Sequence, residues 1–213
     1  MRITVGALLF DIDGTLVDST PAVERTWRVF CDEYGVDFDT LVAVSHGRRA
    51  EDTIADFLPP AQRTEALAFL DAAELADLDG VIPLPGTVRL LDLLPAQRWA
   101  AVTSGNRELM TARLGAAGLP VPPVMVTADD VTVGKPDPQG YLRAAALLGV
   151  DPAACLVIED APAGIRAGLT AGARVLGVAT SHDAEALEDA TWTVSDLSGV
   201  DVDVTPDGVA LSW

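Results

Sequence analysis

Short apolar runs that stop at acidic or glycine residues recur along the chain, and they define its framework. The first, from Ile3 to Phe10, ends abruptly at Asp11, as a buried strand does when it emerges into a loop. Runs of the same kind extend from Trp99 to Thr103, Val124 to Thr127, Cys155 to Ile158, Val175 to Ala179 and Thr191 to Val194. Between them, Arg107 to Ala117 and Gln139 to Leu148 carry helical periodicity, so strand and helix alternate from Trp99 onward. This predicts an α/β fold built on a doubly wound, Rossmann-like parallel sheet.

The alternation fails between the first two strands, where far more chain intervenes than one crossover helix requires. Thr20-Pro21 reads as an N-cap and first-turn pair, Val23, Trp27, Phe30 and Tyr34 follow at helical spacing, and Gly35 is a stop signal. Two more helices are expected over Arg49 to Phe57 and Ala61 to Leu78, the latter with Leu67, Leu70, Leu75 and Leu78 along one side. Residues 17–80 therefore read as an inserted small helical cap domain, with residues 1–16 and 81–213 forming the core. At the far end, Val200 to Val204 and Val209 to Trp213 flank Thr205-Pro206-Asp207-Gly208, which predicts a terminal β-hairpin over about 200–212.

Composition supports this picture and excludes some functions. Of 213 residues, 49% are hydrophobic and only 5% aromatic, as suits a helix-covered parallel sheet with a sizeable core. A formal charge of −18 argues against nucleic acid or an anionic membrane as partner. Cys31 and Cys155 are the only cysteines and read as reduced core residues. The opening apolar run is too short to span a membrane, and a cytoplasmic location is expected. Oligomeric state is left between monomer and homodimer.

Chemistry concentrates at strand ends. Asp11 and Asp13 follow the first strand, and Gly14-Thr15 lets the chain turn so that both carboxylates point to one spot. Glu159-Asp160 repeats that setting after Cys155 to Ile158. Two acidic pairs in one cleft repel unless a divalent cation lies among them, and hard carboxylate oxygens suit Mg²⁺. Lys135, the only lysine beside thirteen arginines, stands in Gly134-Lys135-Pro136, where an ammonium could neutralise a phosphoryl oxygen and a nearby nucleophile. Ser104 and Gly105 close the second strand; alone they read first as a helix cap, and as a phosphate cradle once the other sites stand beside them.

With these residues in hand, the chain resembles the haloacid-dehalogenase-like hydrolases over nearly its whole length. The resemblance rests on Asp11-Ile12-Asp13-Gly14-Thr15, Val102-Thr103-Ser104-Gly105, Gly134-Lys135-Pro136 and Glu159-Asp160-Ala161-Pro162-Ala163-Gly164, in that family's order. It implies that Asp11 is a carboxylate nucleophile and Asp13 an acid and then base. It further implies that Ser104, Gly105 and Lys135 hold phosphate, and that Mg²⁺ is held by Asp11, the Asp13 carbonyl, Asp160 and Glu159, the last directly or through water. Within the family, the details are most similar to sugar and polyol phosphatases, which makes a small phosphorylated metabolite the expected partner. His46, Arg48 and Arg49 in the cap loop, and Asn106, are candidate specificity residues, whereas His182 reads as surface. A β-phosphoglucomutase-like mutase is the nearest alternative, disfavoured because Val23 stands where that branch carries a histidine. A catalytically silent phosphometabolite-binding module is the other.

Overall fold

The computed structural model describes residues 1–206 and 208–213; Asp207, part of the predicted terminal turn, lies outside the described residues. The first strands are β1 (Arg2–Val5), β2 (Ala7–Phe10) and β3 (Val17–Asp18). Four helices follow: α1 (Thr20–Tyr34), α2 (Phe38–Ser45), α3 (Ala50–Phe57) and α4 (Pro60–Ala76). Then come β4 (Ile82–Pro83), α5 (Thr87–Leu93), β5 (Trp99–Val102), α6 (Arg107–Ala116), β6 (Met125–Val126), α7 (Gln139–Leu148), β7 (Cys155–Glu159), α8 (Pro162–Thr170), β8 (Arg174–Val178) and β9 (Trp192–Val194). The chain closes with β10 (Asp201–Thr205) and β11 (Gly208–Ser212).

Six strands form one sheet in the order β6-β5-β2-β7-β8-β9, and every neighbouring pair is parallel. The path steps outward from β2 in one direction through β5 and β6, then returns to the other side of β2 with β7. Strand β2 therefore lies at the switch point, where the carboxyl ends of adjacent strands leave a crevice. Apolar residues fill both faces. Leu8 and Phe10 of β2 pack with Leu109 and Leu114 of α6 on one side, and Ala7 and Leu9 pack with Tyr141, Ala144 and Ile165 of α7 and α8 on the other. This two-sided burial is why the strands read as continuous apolar runs.

The first run is not one strand. It breaks at Gly6, whose N–H donates to the Ala154 carbonyl at 2.7 Å, and β1 leaves the parallel sheet to pair antiparallel with β11. The predicted hairpin of β10 and β11 is present, in the register Asp201↔Ser212, and β1 completes it as a third strand.

Helices α1 to α4 stand between β3 and β4, which pair as a short antiparallel ribbon. Helix α1 ends where Gly35 turns left-handed at φ 66°. Its N-cap is Ser19 rather than Thr20, and the Ser19 hydroxyl is engaged elsewhere, by Asp13. Helix α2 was not evident from periodicity, because only Leu41 in it is buried. The helices enclose a cluster of their own around Trp27, Phe30, Leu41, Ile54 and Leu70. The four leucines of α4 and its exit do not share one side: Leu67 and Leu70 enter this cluster, while Leu75 and Leu78 pack against the sheet's core. Cys31 and Cys155 are buried free thiols. Among the described residues, no helix is long and apolar enough to cross a membrane.

Phe30 is fully buried between Trp27 and Tyr34, with ring centroids 5.1 Å and 4.8 Å away. Phe30→Ala is expected to cost about 3–5 kcal/mol. Because the helical insert has its own cluster, amide exchange should accelerate over α1 to α4 while β2, β5 and β7 keep their protection. Uniform acceleration throughout would contradict separate clusters.

Candidate active site

Three parallel strand ends deliver the candidate residues. Asp11 follows β2, Glu159 closes β7 with Asp160 next, and Ser104 lies just past β5. Asp11 N–H donates to the Ile158 carbonyl at 3.0 Å, which locks the two acidic segments side by side. Gly14 bends the chain away with φ 79°, and a Cβ there would collide with the Asp160 carboxylate and the Ser181 hydroxyl. Only glycine suits both the backbone and the space.

Lys135 is the electrostatic centre. Its Nζ donates to Asp11 Oδ1 at 2.5 Å and to Glu159 Oε1 at 2.6 Å, and all three side chains are buried. Glu159 also accepts from Tyr141 Oη at 2.9 Å and from the N–H groups of Asp160 and Ala161 at 3.0 and 3.1 Å. Four donors therefore saturate this fully buried carboxylate. Gly164, in the first turn of α8, leaves the room it needs, since a Cβ there would overlap Glu159. Asp160 takes a weaker bond from Thr15 Oγ1 at 3.3 Å.

Asp11, Glu159 and Asp160 each bring a carboxylate oxygen within 4.8 Å of the others. Three buried carboxylates thus stand around one ammonium, which bonds two of them. Burial raises the Asp160 carboxyl to about 7, helped by Glu159. Burial likewise holds Asp11 well above the ordinary carboxylate range, and Glu159 and Asp160 add to it against the opposing pull of Lys135. Burial opposes the charge on Lys135, but Asp11 and Glu159 outweigh it and raise the ammonium's affinity for its proton. The excess of buried negative charge fits a divalent cation, which would keep these groups ionised at neutral pH.

Asp13 occupies a separate pairing. Ser19 Oγ donates to its Oδ1 at 2.7 Å, and Arg113 donates to its Oδ2 at 2.7 Å. Arg113, on α6, also donates to Glu74 Oε1 of α4 at 2.9 Å. The guanidinium therefore ties the first strand's loop to the helical insert. Neither Arg113 nor Glu74 was singled out from sequence, and each looks there like an ordinary charged helix position.

Ser104 Oγ donates to the Gly47 carbonyl at 2.8 Å, which brings the start of α6 against the loop between α2 and α3. Asn106 caps α6 through the Leu109 N–H at 2.9 Å and donates to Asp71 Oδ1 of α4 at 3.0 Å. His46, Arg48, Arg49, Ser104, Gly105 and Asn106 all border one cavity of about 380 Å³, together with Asp11, Asp13 and Asp160. Arg49 is already paired, to Asp52 at 2.7 and 2.8 Å and to Glu51 at 2.5 Å; Arg48 pairs with Asp56 at 2.9 Å. His182 is not simply a surface residue: its Nδ1 lies 3.0 Å from the Asp160 carbonyl, and its ring meets His46 edge-on at 5.4 Å. Burial, with His182, lowers His46 below the usual imidazole range.

Carboxylates gathered around a buried lysine where parallel strands end, with helices standing over them, are the layout of a hydrolase built on a doubly wound, Rossmann-like sheet. The chain belongs to the haloacid dehalogenase-like hydrolase family, whose model matches residues 5–172. It is 40% identical over 205 residues to hexitol phosphatase A of Escherichia coli (strain K12), covering 94% of this chain and 95% of that one. It is 39% identical over 202 residues to glycerol-1-phosphate phosphohydrolase 2 of Saccharomyces cerevisiae, covering 89% of this chain and 80% of the relative. A hydrolase of known structure from Pseudomonas syringae superposes with a TM-score of 0.83 at 27% identity, covering 91% and 94% of the two chains.

The buried carboxyls give a pH signature. Between the ordinary aspartate value of 3.8 and about 7, the folded protein keeps a proton at Asp160 that the unfolded chain has lost. Stability of the cation-free protein should therefore fall as pH rises through that window, by about 1.4 kcal/mol per pH unit per group, or about 3–5 °C in Tm. Asp11 adds to the fall; His46, with its lowered value, opposes it below about pH 6.5. Thermal scans in EDTA from about pH 5.5 to 7.5 test this. A Tm that rises with pH, or one that excess divalent cation does not restore at the alkaline end, would contradict the charge imbalance.

Proposed function

We propose that the protein is a magnesium-dependent phosphatase that hydrolyses small sugar or polyol phosphates through a phosphorylated Asp11. The observation that carries the reading is the Asp11 carboxylate, buried at a strand end, with one oxygen on Lys135 and the second making no hydrogen bond among the described residues. The names of the relatives, which act on hexitol and glycerol phosphates, support the substrate class.

In this reading Asp11 attacks phosphorus in line and the ester oxygen departs with a proton from Asp13. Asp13 then takes a proton from water, which attacks the acyl phosphate and releases inorganic phosphate and free Asp11. Lys135 neutralises charge on the transferring group, and the Ser104 hydroxyl with the Gly105 N–H cradles its oxygens. Ser19 and Arg113 orient Asp13 by holding one carboxylate oxygen each. Asp11, Asp160 and the Asp13 carbonyl would hold Mg²⁺, whose oxygen-seeking charge would counter that of the carboxylates and the phosphoryl group. Glu159, filled by four donors, anchors Lys135 and would meet the ion only through water. Residues 17–80 would act as a cap that excludes water from the cavity.

Phosphate release from hexitol and glycerol phosphates should require Mg²⁺ and vanish in EDTA. Asp11→Asn should lower turnover by about 10³-fold or more, because the amide is not a nucleophile. The folded state should survive and gain stability without cation, since one buried charge is gone. Near-wild-type turnover in a pure Asp11→Asn preparation would refute the covalent route.

A further inference from the structure

Helices α4 and α6 face each other across the cavity, and each presents one stripe to it. Leu67, Asp71 and Glu74 recur at helical spacing along α4; Asn106, Leu109 and Arg113 do so along α6. The polar members are matched in pairs, Asn106 to Asp71 Oδ1 at 3.0 Å and Arg113 to Glu74 Oε1 at 2.9 Å. Each pair leaves one carboxylate oxygen over: Asp71 Oδ2 and Glu74 Oε2 make no hydrogen bond among the described residues. Glu74 is only 7% exposed, yet it borders the cavity. The free oxygens are reached from the cavity, so whatever occupies it, water or substrate, is what donates to them.

The position of these oxygens relative to the chemistry is set by Arg113. The same guanidinium that holds Glu74 holds Asp13 Oδ2 at 2.7 Å, so Glu74 stands one side chain away from the group that protonates the departing oxygen. Asp71, one turn back on α4, lies further out along the same wall. We propose that Asp71 and Glu74 form the leaving-group subsite, accepting hydrogen bonds from the hydroxyls of a non-anionic polyol. Glu74 reads the hydroxyl nearest the ester oxygen and Asp71 reads one further along the carbon chain. The same two carboxylates repel a leaving group that carries a second phosphate or a carboxylate. Specificity thus resides in a helix face of the insert, in addition to the loop that carries His46, Arg48 and Arg49.

This subsite rests on the phosphatase reading, and one experiment separates their failures. Values of kcat/KM are measured with Mg²⁺ for a hexitol 6-phosphate, glycerol 3-phosphate, 2-phosphoglycolate and a hexose bisphosphate, using wild type, Asp71→Asn, Asp71→Lys and Glu74→Gln. Wild type should favour the two polyol esters over the two doubly anionic ones. Glu74→Gln should lower kcat/KM for both polyol esters, and Asp71→Asn should do so chiefly for the hexitol ester, each by about tenfold. Asp71→Lys should narrow the preference against the doubly anionic esters by about tenfold or more. Asp71 is half-exposed, so its variants should keep the wild-type thermal transition even if Glu74→Gln does not. An active wild type whose substrate ranking is the same, within about twofold, in both Asp71 variants would overturn the subsite and leave the phosphatase reading standing. No phosphate release by wild type from any ester would remove both.

Discussion

One ammonium shared by two carboxylates organises the site. Buried ion pairs repay their desolvation only when geometry and further hydrogen bonds are favourable. Around Lys135 these conditions are met on one side and withheld on the other. Glu159 is saturated by Lys135, Tyr141 and two backbone N–H groups, so it fixes the ammonium in place. Asp11 receives the ammonium on a single oxygen. The asymmetry makes Glu159 structural support and leaves Asp11 chemically available. Gly164 belongs to the same arrangement, because any side chain at that helix start would displace Glu159 and with it the lysine.

The parallel sheet makes this gathering possible at low backbone cost. Three adjacent strands end at the same edge, so residues far apart in sequence meet without long loops. It also keeps two charge systems apart. Asp11, Glu159, Asp160 and Lys135 form one, short of positive charge; Asp13, Arg113 and Glu74 form the other, linked by hydrogen bonds of 2.7 and 2.9 Å. Two carboxylates two residues apart in the chain therefore sit in different electrostatic surroundings, the condition under which two acids can take different roles.

Much of this was legible in the sequence where the signal is local. The apolar run before Asp11, the lone Lys135 beside a proline, and Glu159-Asp160 before a helix start each carry their meaning within a few residues. The break at Gly6 was not legible, because β1 and β2 are apolar alike and only the remote partner β11 distinguishes them. Helix α2 escaped because it buries one residue. Arg113 and Glu74 carry no local cue that sets them apart from other charged helix positions, and their burial is created by the way α4 and α6 oppose each other. Arg48 and Arg49 were visible as a basic pair, but the acidic residues that engage them lie on the helix they introduce, at Glu51, Asp52 and Asp56. His182 carried no local cue at all, since its context is the Asp160 carbonyl across the fold.

The acidity of the whole chain takes on a different meaning beside this site. A net charge of −18 sets up a field that opposes the approach of any phosphate ester. Against that background, Arg48, Arg49 and Arg113 border the cavity and Lys135 is bonded to Asp11 in its lining, four of only fourteen basic residues in the chain. Each is held by acidic neighbours, so none presents an isolated charge to solvent. A cavity of this kind attracts an anion only at short range, where screening is weak. Long-range capture of anions is thereby sacrificed, and recognition is left to contacts made inside the cavity. That is consistent with a site that discriminates among small esters by the groups attached to the phosphate, since every candidate carries the phosphate itself.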